Sequence, residues 1–349
     1  MTMSFRFEAL APRLAKQRKG QNPARLTTAC ALALALLAGC NTLTSETGEQ
    51  TITAVDFDPA QPGEIRIGKV VFMAGFRLEY GARFFGGLSG LWVSPAGDRL
   101  VAVTDHGDWV AAPLQHDADG RLTGVGTISM RALTGIDADA IDTILDPQER
   151  DAEGLAVLPD GRVIVSFERR HRIWVYDSPL TDNEPLELEA PEHVARLQNN
   201  EGLEAIEAMP DGRLIAIAEG PIGPGVVLDF WVLERDGKWR SVGYLMRDGF
   251  KVTGAAALPD GRVIVLERWF AAPMAIRNRL RVLTPEQIDG TAIVDGEVIA
   301  EFTSDYNIDN FEGLSARTGP GGETFLYMVS DDNFNFGQRT YLYQFRLEP

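Results

Sequence analysis

From residue 65 onward, apolar positions come in short, β-branched runs broken by turn signals, a pattern that predicts strands. One unit recurs. Glu153-Gly154-Leu155 runs to Pro159-Asp160-Gly161 and returns through Val163-Ile164-Val165; Glu201-Gly202-Leu203 leads to Pro210-Asp211-Gly212; Thr253-Gly254-Ala255 leads to Pro259-Asp260-Gly261. A later copy starts at Glu312-Gly313-Leu314 and turns at 319–322, and a weaker first copy starts at Ser89-Gly90-Leu91. In the turn, Pro presets φ, Asp bonds back to the chain and Gly takes positive φ. The two strands of each hairpin are apolar on both faces, so each should be buried between neighbours.

Two weaker strands follow most hairpins, near 172–176 and 186–189, 230–234 and 240–245, and 279–283 and 298–302. Four strands repeating every 48 to 64 residues match propeller blades. The last copy has only one further strand, 340–347, and the run 65–78 can supply its fourth. The expected fold is therefore an all-β propeller of five four-stranded blades, closed by an N-terminal strand. Six blades would require a degenerate blade within 110–150.

The N-terminus reads differently. Six Lys and Arg precede an apolar run, 26–37, that ends in Leu37-Ala38-Gly39-Cys40. The run is too short to span a bilayer and has the form of a signal-peptide core. It resembles a bacterial lipobox, which implies cleavage before Cys40 and lipidation of that thiol. Asn41 in place of Asp implies an outer-membrane destination facing the periplasm. The expected organisation is a signal peptide over 1–39, a Thr/Ser/Pro-rich tether over 40–62 and the propeller over 63–349.

Charge narrows the function. A net charge of -17 argues against nucleic acid. Both cysteines, Cys30 and Cys40, precede the body, which excludes a thiol nucleophile or zinc–thiolate site there. No Gly-x-Ser-x-Gly elbow is present. In a propeller, the start of each first strand and the end of each second strand share one face. The acids at those positions are Glu153, Glu201 and Glu312, and then Asp105, Glu168, Glu219, Glu267, Asp331 and Asp332, interleaved with His106, Arg169, Arg268 and Asn333. Such a ring either locks blades together or binds a cation. Hard oxygen ligands without Cys favour Ca²⁺.

The repeated Glu-Gly-Leu, Ala218-Glu219-Gly220-Pro221, Leu266-Glu267-Arg268 and Ser330-Asp331-Asp332-Asn333-Phe334 through Arg339 together resemble the phytase-like domain family, also called the esterase-like activity of phytase family. Gly86-Gly87-Leu88-Ser89-Gly90-Leu91 and Thr104-Asp105-His106-Gly107 match its opening. The resemblance implies a hydrolase of phosphate esters or other small esters, with calcium bridging acids and substrate. On that reading Glu153, Glu201, Glu312 and His106 are the catalytic candidates. Asp105, Glu219, Glu267, Asp331 and Asp332 would hold metal, and Arg169, Arg268, Arg339 and Asn333 would bind substrate. The other reading is a non-catalytic propeller that binds a ligand or partner protein in the cell envelope.

Overall fold

A computed structural model describes residues 48–81, 85–136, 150–271 and 275–349. The expected signal peptide and Cys40 lie outside the described residues. The architecture is five small antiparallel sheets arranged as a five-bladed β-propeller.

The chain enters through β1 (Gln50–Ala54), β2 (Ile65–Ile67) and β3 (Val70–Tyr80). Blade one is β4 (Leu88–Val93), β5 (Arg99–Thr104) and β6 (Asp108–His116), with β7 (Leu122–Val125) and β8 (Ser129–Ala132) both pairing with β6. Blade two is β9 (Ala152–Val157), β10 (Val163–Phe167), β11 (Arg172–Tyr176) and β12 (Leu186–Leu188). Blade three is β13 (Ala205–Ala208), β14 (Leu214–Ile217), β15 (Val227–Leu233) and β16 (Trp239–Leu245). Blade four is β17 (Lys251–Ala257), β18 (Val263–Ala271), β19 (Ala275–Leu283) and, after a Thr284-capped turn of helix α1 (Pro285–Gly290) and the short β20 (Ile293–Val294) that joins blade three, β21 (Glu297–Phe302). Blade five is β22 (Asn310–Thr318), β23 (Thr324–Asp331), β24 (Thr340–Leu347) and, closing the ring, β3.

Closure is as expected: β24 pairs with β3 from Thr340↔Leu78 to Leu347↔Val70. Part of the segment 40–62 expected to be a tether is folded against the propeller. Gln50–Ala54 pairs with β3 as an outer edge strand, and Phe57 is fully buried among Phe72, Phe302 and Phe345. One hydrophobic cluster fills each of the five blade–blade interfaces. This follows from hairpins apolar on both faces, since each face needs its own partner.

The inner strands approach one another closely round the axis. A Cβ at Gly313 would come within 2.5 Å of the Ser89 carbonyl, and one at Gly254 within 2.5 Å of the Glu312 carbonyl. Gly254 and Gly313 are thus places where neighbouring blade backbones touch.

Candidate functional site

Strand register shows which residues share a level at the axis. The second-strand positions facing the mouth are Asp105, Glu168, Glu219, Arg268 and Asp331. Each lies against an equivalent inner-strand residue: Gly87, Asp151 and Gly202 accept backbone bonds from Asp105, Glu168 and Glu219, while Lys251 pairs with Arg268 and Asn310 with Asp331. Two residues further along the inner strands is a deeper ring: Ser89, Glu153, Glu204, Thr253 and Glu312.

Two sequence expectations change on this frame. Glu267 is not at the mouth. In β18, Arg268 holds the position that Glu168 and Glu219 hold in their blades, and Glu267 precedes it. A step of one residue turns a strand side chain to the other face. Glu267 is accordingly fully buried between blades, accepting bonds from Tyr244 Oη (2.9 Å), Arg281 Nη1 (3.3 Å) and Arg279 Nε. Its carboxylate is thus bonded to two arginines and a tyrosine between the blades, away from the mouth where metal was expected.

Glu201 is likewise displaced. Its Glu-Gly-Leu triplet looks like the one at 153, but β13 begins later, and Glu204 takes the deeper-ring position beside Glu153. Gly154 and Gly254 lie six positions before Asp160 and Asp260, and the same step back from Asp211 lands on Ala205, just after Glu204. Counting from the turn, instead of matching Glu-Gly-Leu, would have found Glu204. Glu201 stands to one side, receiving Lys251 Nζ (2.8 Å) and Gln198 Nε2 (2.6 Å).

The ring is electrostatically lopsided. Blade four supplies two cations. Lys251 bonds Glu201 and, at 3.3 Å, Glu219; Arg268 bonds Glu219 (3.0 Å), Glu312 (2.7 Å) and Asn310. Lys251 was not among the expected site residues, because its partners lie on another blade. Blade two, across the axis, brings mainly acids. Asp151, Glu153 and Glu168 are buried, and they offer oxygens that all lie within 4.8 Å of one another. Arg169 Nε meets Asp151 at 2.5 Å. Among the described residues, neither the Glu153 nor the Glu204 side chain has a hydrogen bond or ion pair, although both residues are about nine-tenths buried.

Burial, together with Glu204 alongside, pushes the Glu153 carboxyl well above its usual range. Burial and the neighbouring Asp151 push Glu168 up to about 9. Glu204 is raised by burial and by Glu219 and Glu168. Glu312 is raised to about 7 by burial, with Arg268 offsetting part of the effect. Asp331 is raised by burial and by Glu312 and Asp105. Uncompensated buried carboxylates need either protons or a cation. The triad Asp151, Glu153 and Glu168 therefore has the chemistry of a hard-cation site, and the residues present fit one.

The remaining expected residues lie on the rim. Asp105 Oδ1 meets His106 Nδ1 at 2.8 Å, and this bond raises the imidazole's affinity for a proton. Asp332 Oδ1 accepts from Phe334 N (3.1 Å) and from Gly87 N (3.3 Å), tying blade five to blade one. Asn333 is exposed at φ 46° in the same turn. Arg339 turns its guanidinium onto its own loop, at the carbonyls of Phe336 (2.7 Å) and Gln338 (2.6 Å). It braces the loop and does not reach the axis.

A family model described as Phytase-like, esterase-like activity of phytase, matches residues 83–334. No curated protein matches the chain. Solved structures similar to it include a luciferin-regenerating enzyme (13% identity, 85% of this chain and 98% of that one, TM-score 0.40). Others are a hypothetical protein from Leishmania major (13%, 76% and 85%, 0.39) and a protein of unknown function from Bacteroides thetaiotaomicron (10%, 85% and 76%, 0.42).

Proposed function

Because the chain belongs to the Phytase-like family, esterase-like activity of phytase, we propose that it is a cation-assisted hydrolase of phosphate esters or other small esters, acting at the acidic mouth. The observation that carries this reading is the uneven neutralisation of the ring. Blade four's Lys251 and Arg268 satisfy Glu201, Glu219 and Glu312, whereas Asp151, Glu153 and Glu168 converge with Arg169 alone to offset them.

Asp151, Glu153 and Glu168 would hold the cation, with calcium favoured by three hard carboxylates and no sulfur or imidazole among them. A divalent cation there supplies Lewis acidity to a phosphoryl or acyl oxygen and acidifies a bound water. The chain's own groups do the rest. Asp105 holds the His106 ring at the rim and favours its protonated form, so His106 can give a proton to a leaving oxygen. Arg169, half-exposed beside the triad, can meet a substrate anion. Arg268 is committed to Glu219 and Glu312, so its part is to hold the ring in shape.

The same reading places the protein in the cell envelope, exported by residues 1–39 and held at the outer membrane through a lipid on Cys40. The rival, a non-catalytic binding propeller, draws on the blade-four ion pairs, which lock blades whether or not chemistry occurs. Purified residues 41–349, given phosphomonoesters and carboxyl esters with Ca²⁺ or EDTA, decide between them. Calcium-dependent turnover that Glu153→Gln abolishes is expected. No turnover on either class, with the same melting temperature in Ca²⁺ and EDTA, refutes the enzyme reading.

A further inference from the structure

Among the described residues seven large apolar side chains are exposed, and two of them, Ile293 and Val298, lie on the outer strands β20 and β21. The other five, Ile136, Val226, Phe270, Phe334 and Phe336, lie at the mouth face, with Phe336 96% and Phe270 59% exposed. Phe334 and Phe336 sit between the end of β23 and the start of β24. Phe270 tops the β18–β19 hairpin, beyond the level of Arg268. Val226 closes the loop after Glu219, and Ile136 follows β8. Large apolar groups ringing one face mark a surface that is covered in use.

The chain enters on that same face. Gln50 pairs with Tyr80, the mouth end of β3, and β1 then runs away from the mouth. Nine residues lie between Cys40 and Gln50, so ten Cα-to-Cα steps give a reach of at most about 36 Å. β3 has 11 residues, so the blade edge is itself roughly 36 Å tall. A leash from the opposite face would spend its whole reach climbing that edge. From the mouth face it has slack.

We propose that the mouth face lies against the bilayer that carries the Cys40 lipid, with Phe270, Phe334 and Phe336 entering the headgroup region and the acidic mouth opening toward lipid headgroups. The inference rests on the lipid-anchor reading above. Aromatic rings suit the interface because they combine apolar area with tolerance of a polar boundary. The substrates with the shortest path to the triad are then esters presented by the membrane itself.

The body has no cysteine, so single thiols can be introduced cleanly. The full chain is expressed with Asn335→Cys on the rim, or Asp236→Cys in the β15–β16 turn on the opposite face. Each is labelled with bimane and reconstituted in phosphatidylethanolamine vesicles containing nitroxide-labelled lipid. Quenching at 335 and none at 236 is expected, and Phe270→Ser with Phe336→Ser should weaken vesicle partition of residues 41–349 about tenfold or more. Equal quenching at both sites, or quenching only at 236, overturns the orientation. Unchanged vesicle partition with a raised KM for apolar esters makes the rim a substrate wall and also overturns it. The mass of the mature protein reads the anchor separately: a Cys40 without lipid removes the premise, whereas a lipidated chain with the wrong quenching pattern refutes the orientation alone.

Discussion

Glu267 and Glu168 make opposite predictions from equivalent-looking sequence. Both follow the apolar stretch of a second strand, but Glu267 is sealed between two arginines while Glu168 belongs to the acidic triad. Glu267→Gln keeps the shape and removes the charge. It leaves Arg281, which has no exposed side-chain surface, and Arg279, only 2% exposed, without their shared carboxylate. Breaking a buried pair from one side costs about 3–5 kcal/mol. Asp295 and Asp248 still touch those arginines from the surface, so the lower end, about 3 kcal/mol, is the better figure. At about 2 °C per kcal/mol for a domain of this size, the melting temperature should fall by roughly 6 °C. Glu168→Gln removes a carboxylate that burial already disfavours, so the cation-free protein should melt no lower than wild type. Scanning calorimetry in EDTA reads stability, and calcium titration of the same samples reads the site. Glu267→Gln should bind calcium as wild type does, and Glu168→Gln should bind it at least about tenfold more weakly. A Glu267→Gln protein with unchanged melting and lost calcium binding would mean that the strand register, and the site built on it, are wrong.

Proton linkage gives a second test. Glu168, raised to about 9, and Glu312, raised to about 7, hold protons that the unfolded chain releases near its ordinary value. Their contribution is present in full below that value and is lost as pH rises toward 7 and then 9. The cation-free protein should therefore lose stability across that range, while calcium should flatten the loss and displace at least one proton at pH 7, read by calorimetry in buffers of different ionisation enthalpy. Packing gives a third. Gly313→Ala pushes a Cβ to 2.5 Å from the Ser89 carbonyl of the next blade, so the denaturation midpoint should drop by the equivalent of about 1–3 kcal/mol, and an unchanged midpoint would refute close contact of the inner strands.

Much of this molecule is legible in its amino-acid sequence. Pro-Asp-Gly turns, β-branched returns and their repeat are local chemistry. They suffice for the five blades, for the closure by β3 and for one acidic face, because turn geometry and apolar patterning act over a few neighbouring residues. The family motifs point the same way, and the Phytase-like match bears that membership out.

What depended on tertiary structure was finer. Glu267 and Arg268 are adjacent in the chain, and only the pairing of β18 with β17 decides which of them faces the mouth. Glu204 displaces Glu201 because blade three enters its inner strand late, and register is set by partners far along the chain. Lys251 matters because it reaches acids on blade three. A sequence carries the charges, but which of them cancel is a matter of distance across the axis, and that exists only once the blades have closed.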